Sequence, residues 1–212
     1  MAAVVQMRRL ASRLAFAMYL AWMPLPAAAQ ETAVQTTLRC PLIDYSSLSD
    51  ADTRVMKEAR LSACEVLASQ NFKDALAREM LRESCDSDKV ISGQDLYAIL
   101  ASALPDHRIV AKKPWFAEAA TNPVTKRITI RRGRFEGWST GSQRQGEMIN
   151  TLVHEWTHLI LGLDEYSRFQ DQGHGTARCP NQVLVSYRTG DLAEQAWRKM
   201  RNYLARPAHV GG

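Results

Sequence analysis

The run Leu152-Val-His-Glu-Trp-Thr-His158 holds the residues whose spacing is most suited to chemistry. Positions four apart share a helix face, so His154 and His158 can offer two imidazole nitrogens to one metal ion. Glu155 sits one step round, placed to take a proton from a water held beside that ion. Two ligands and a base within one helical turn are the makings of metal-assisted hydrolysis, and Zn2+ is the ion such donors favour. The competing readings are a surface helix with two incidental histidines and a non-catalytic protein that uses the same pair in a structural zinc site.

A catalytic zinc normally takes three protein ligands, so a third must come from elsewhere in the chain. His174 is the preferred candidate. It lies in Asp171-Gln-Gly-His-Gly175, where flanking glycines permit the tight turns that would fold an imidazole back toward the helix. Asp164 and Glu165 are the second option, Asp164 standing six residues beyond His158. Zinc peptidases that use this offset end the helix on a glycine three residues after the second histidine. Leu161 stands there instead, with Gly162 one position late. These acids could equally be a solvated helix end, or carboxylates that orient a ligand. Glu194, on the following helix, is the third option, against the simpler reading of an exposed acid. Tyr166, Tyr187 and Arg188 are available as donors to a developing oxyanion. Tyr187 is favoured, though Val183-Leu-Val-Ser-Tyr187 also reads as packing.

His154-Glu-x-x-His158 followed by Gly173-His174-Gly175 resembles the HExxH…GHG pattern of SprT-like (Spartan-type) zinc peptidases. The resemblance implies a zincin-like fold, Zn2+ held by His154, His158 and His174, and Glu155 as general base. It covers only about 22 residues of the chain. It also departs from that family in setting, because those relatives act inside the cell on DNA-bound proteins. Their substrate is therefore not carried over, and the expectation is a peptide or protein substrate for a zincin-like metallopeptidase.

The setting comes from the N-terminus. Arg8, Arg9 and Arg13 precede an apolar run from Leu14 to Leu25, and Ala27-Ala28-Ala29 offers a small-residue cleavage site. Residues 1–29 thus read as a signal peptide and residues 30–212 as one zinc metallopeptidase-like domain, secreted or periplasmic. The apolar run, broken by Pro24 and Pro26, is too short for a membrane anchor, and no later stretch would span a bilayer. The leader carries three of the 27 basic residues and none of the 22 acidic ones, leaving 24 against 22. So balanced a remainder gives no ground for nucleic-acid binding. A monomer without stable membrane insertion is expected.

Cys40, Cys64, Cys85 and Cys179 form an even set with no CxxC pair, which in an exported chain implies two disulfides of open connectivity. Cys179 is expected to tie the segment after the HExxH helix to the N-terminal helices.

The elements that must position the site follow from periodicity. Asp50–Ser69 and Asn71–Ser84 show helical spacing, and Ser92-Gly-Gln-Asp95 opens a short helix that Pro105 ends. His107–Lys112 and Val124–Arg132 read as strands, with Lys126–Arg131 the candidate edge along which a peptide would align. Gly133 and Gly137–Gly141 read as loop, Gln143–Leu161 as the ligand helix and Gly190–Leu204 as a closing helix. Trp115, Trp138, Trp156, Thr157 and Trp197 read as packing residues, and His107 and His209 as non-ligands. The order predicts an α+β fold, mainly helical with a small mixed sheet.

Overall fold

The computed structural model describes residues 38–83, 88–112, 117–162 and 184–204, all within one compact unit. Cys85, Trp115, Asp164, Glu165, Tyr166, His174, Cys179 and His209 lie outside these residues, as does the leader.

The chain enters through β1 (Ile43–Asp44) and turns into α1 (Asp50–Ala68). Ser49 caps α1 by accepting from the Asp52 N–H, the usual remedy for an orphaned first-turn donor. Ser69 ends α1 and opens α2 (Gln70–Leu76), its hydroxyl oxygen accepting from the Phe72 N–H. A disulfide joins Cys40, just before β1, to Cys64 on the buried side of α1. The pairing of the other two cysteines falls outside the described residues.

The second helix is shorter than its periodicity predicted. It stops at Leu76, and Met80–Arg82 is instead strand β2, antiparallel to β3 (Val90–Ser92). Leu81 and Ile91 face each other buried, while Met80, Arg82 and Val90 are exposed, so cross-strand packing outweighed a helical pattern that was only local. Ser92 then caps α3 (Gly93–Ala103) through the Asp95 N–H, as the S-x-x-D signal predicted.

The main sheet has the order β1-β4-β6-β5, with β4 at His107–Ala111, β5 at Ala119–Asn122 and β6 at Arg127–Ile130. β1, β4 and β6 run parallel, and β5 closes a hairpin antiparallel to β6. This corrects the expected edge. The Lys126–Arg131 segment pairs on both sides, and among the described residues β1 and β5 are the edges, β5 having an Ala-Ala-Thr-Asn sequence with no strong strand signal. Ala119 and Thr121 turn inward along it, while Ala120 and Asn122 face solvent.

The stretch around Gly133 to Gly141 is also more ordered than its glycines implied. Arg132–Gly137 forms α4 and Trp138–Thr140 a single 3-10 turn. Phe135 and Trp138 are buried there, and the Trp138 indole donates to Glu58 of α1 at 2.8 Å, so tertiary anchors hold a glycine-rich run. Gly141, at φ 136°, makes the sharp entry into α5 (Ser142–Leu161).

α5 is the centre of the molecule, packed on α1, α3, α4, α6 and β5. Met148, Ile149, Leu152, Val153, Trp156, Leu159 and Ile160 are fully buried along it. α6 begins at Val185, five residues before the expected start, and runs to Leu204. Gly190 is thus inside a helix rather than at its head. A Cβ there would meet Asn150 Oδ1 at 2.5 Å, Asn150 O at 3.0 Å and His154 Cβ at 3.2 Å. The glycine lets α6 lie directly on the face of α5 that carries His154. The result is α+β and mainly helical, with a small mixed sheet. Among the described residues no helix is long and apolar enough to cross a membrane.

Candidate metal and catalytic site

The i, i+4 relation on α5 does what helical geometry demands. His154 Nε2 and His158 Nε2 stand 3.0 Å apart, with ring centroids 4.7 Å apart at 72°. Two nitrogens bound to one tetrahedral zinc at about 2.0–2.1 Å lie about 3.3 Å from each other. The pair therefore fits one such ion after an opening of a few tenths of an ångström. Both imidazoles line a cleft of about 860 Å³, a size in the usual range for ligand sites. Among the described residues no three metal-ligating side chains come together.

Glu155 faces the same cleft but is only 4% exposed. Burial pushes its carboxyl up to about 7, against the opposing effect of a hydrogen bond from Thr121. The Thr121 hydroxyl, on β5, donates to Glu155 Oε2 at 2.6 Å and lies 3.2 Å from the Glu155 main-chain oxygen. Thr121 was not singled out by sequence, since a threonine 34 positions away in a weak strand carries no local signal.

The opposite wall is α6. Tyr187 sets its ring edge-on to that of His154, with centroids 4.6 Å apart at 84°, and it lines the cleft. Asp191, one turn on, also lines the cleft and accepts from the Asn150 amide at 3.0 Å. Burial raises its pKa above the usual aspartate value, opposed by that hydrogen bond. Asn150 and Asp191 are the other residues that sequence reading missed. Their positions one turn from His154 and Tyr187 were a usable signal, had α6 been extended back to Val185.

The remaining candidates separate. Glu194 accepts from Asn150 at 3.0 Å and from Arg198, is mostly buried, and is not part of the cleft wall. It is neither the exposed acid expected by default nor a neighbour of the histidine pair in the cleft. Arg188 donates to Glu79 at 2.6 Å. His174, Asp164, Glu165 and Tyr166 are outside the described residues. Trp156 and Thr157 are fully buried, as packing residues should be. His107 opens β4 and is bonded to Trp156.

The free edge of β5 forms the upper rim. The Arg131 N–H donates to Glu118 O at 2.8 Å, so the Glu118 and Arg131 pair is the hydrogen-bonded one. By antiparallel alternation, Ala120 and Asn122 spend their main-chain groups on β6. Those of Ala119 and Thr121 point to the open side. Both residues line the cleft.

The fold and site together define an α+β domain with a helix-borne histidine pair and a buried carboxylate under an open strand edge. No family model, curated protein or solved structure matches the chain.

Proposed function

We propose that the protein is an exported zinc-dependent peptidase of the zincin-like class, acting on peptide or protein substrates. The observation that carries this reading is the meeting in one cleft of the His154–His158 pair, 3.0 Å apart, with the buried carboxylate of Glu155. His154 and His158 would hold Zn2+, with His174 the third ligand on the strength of the Gly-His-Gly pattern. When bound, zinc supplies a Lewis acid that polarises a carbonyl and brings the pKa of water toward neutrality.

The chain's own residues do the rest. Glu155 takes a proton at its carboxylate from the attacking water and returns it to the nitrogen of the departing amine. The main-chain groups of Ala119 and Thr121 offer an extended peptide a ladder along β5, which orients the scissile bond over α5. Tyr187, whose ring lies 4.6 Å from that of His154, would serve as the donor to a developing oxyanion. The leader-like N-terminus and the Cys40–Cys64 disulfide support export to an oxidising compartment.

The test begins with metal analysis of the purified protein, expected to show about one equivalent of zinc. Hydrolysis of fluorescein-labelled casein is then compared for the wild type and Glu155→Gln. The variant should keep its zinc and its fold and lose hydrolysis. A protein without zinc sinks the site assignment. Zinc with no hydrolysis by the wild type leaves the non-catalytic zinc protein as the better reading.

A further inference from the structure

We infer that Thr121 is a positioning residue, whose hydroxyl aims the Glu155 carboxylate from the strand that borders the cleft. The inference rests on the peptidase reading above and extends it to a residue outside the HExxH turn. Its ground is geometric. The Thr121 hydroxyl is 2.6 Å from Glu155 Oε2, and Glu155 is 4% exposed, so bulk water is a poor substitute for that donor. Asn150, also on α5, spends its amide on Asp191 and Glu194 of α6, each at 3.0 Å.

The position of Thr121 in β5 gives the contact a second consequence. Its side chain turns in to α5, while its N–H and C=O, by the strand's alternation, are directed to the free edge. A peptide pairing with that edge would bond to the same residue that holds the base. Substrate alignment and base alignment are therefore set by one residue's backbone and side chain. This favours threonine, whose β-branched side chain is stiff at χ1 and fits a strand.

Thr121→Val removes the hydroxyl at nearly constant shape, and Thr121→Ser keeps it. On a quenched peptide cut by the wild type, Thr121→Val should lower kcat about 10- to 100-fold, the usual cost of misplacing a catalytic group. KM should stay within about twofold, since the main-chain ladder is untouched. Thr121→Ser should recover most of kcat, and zinc content should match the wild type in both.

A measurement free of metal and turnover accompanies this. In the zinc-free protein, Thr121→Val should lower Tm by about 2–4 °C, and the loss should vanish in a Glu155→Ala background. Equal Tm losses in both backgrounds, kcat within about twofold of wild type in Thr121→Val, or no recovery in Thr121→Ser would each overturn the assignment. An inactive wild type with the Tm coupling intact overturns the peptidase reading, and the role in turnover with it. Lost coupling with normal wild-type turnover overturns Thr121 alone.

Discussion

The indole N–H of Trp156, inside the His-Glu-Trp-Thr-His run, donates to Nε2 of His107 at 3.1 Å across the core. His107 Nδ1 lies 3.0 Å from Pro105 O. An imidazole that accepts at Nε2 and donates at Nδ1 is neutral, with one tautomer fixed by its partners. The back of α5 is thus pinned to the start of β4, and the pin depends on an uncharged histidine.

That pin predicts a pH dependence of stability. Burial lowers the His107 pKa below 6.5, with the Pro105 carbonyl and Asp106 opposing and Arg60 assisting. The unfolded chain therefore binds the proton more readily, and stability present above about pH 6.5 is lost as pH falls toward the folded value. The raised carboxyl of Glu155 acts in the opposite sense, so the contribution is isolated by difference. Denaturant midpoints of wild type and His107→Gln should converge as pH drops from about 7.5 to about 5. Parallel curves would show that His107 is not the group responsible.

Replacing the acceptor outright should be costly near neutral pH, where His107 is uncharged. His107→Phe leaves the Trp156 N–H buried without its partner, a loss of about 1–3 kcal/mol in unfolding free energy. Urea titration reads it directly.

Two glycines at the α5–α6 contact should respond differently. A Cβ at Gly190 collides with the Asn150 main chain and side chain, so Gly190→Ala should destabilise by about 1–3 kcal/mol and weaken zinc retention. At Gly146 the nearest atom is Glu194 Cγ at 3.2 Å, part of a side chain that can shift. There the helix preference for alanine, about 1 kcal/mol, offsets the crowding and Gly146→Ala should be nearly neutral. Paired thermal melts and dialysis against a zinc chelator check both.

For the third ligand, His174→Ala should lose zinc to a chelator while Asp164→Ala and Glu194→Ala retain it. Glu194 is already engaged by Asn150 and Arg198, which makes it the least available of the three. Full retention in His174→Ala would transfer the role to Asp164 or Glu165.

The Cys40–Cys64 bond closes a loop with a sequence separation of 24 and anchors the approach to β1 onto α1. Cys40→Ser with Cys64→Ser should cost about 2–4 kcal/mol of stability, read by denaturation under non-reducing conditions. Unchanged stability would mean that packing around Leu38, Tyr45 and Leu48 holds this segment unaided.

What was legible in the residues alone was whatever a single helix turn encodes. The face shared by His154 and His158, Glu155 beside them, the Ser92 cap and the buried stripe of α5 were all legible from local sequence. The tertiary structure decided what depends on partners far along the chain. Leu81 found Ile91 and became strand, while Phe135 and Trp138 turned a glycine-rich stretch helical through burial and Glu58. Short, polar Ala119–Asn122 took the sheet edge because β6 already had β4 on its other side. That placement set Thr121 against Glu155, and Gly190 brought Tyr187 and Asp191 to the histidines. Local periodicity specifies which face a residue occupies, but the face it meets is set by long-range packing, which no window of sequence contains.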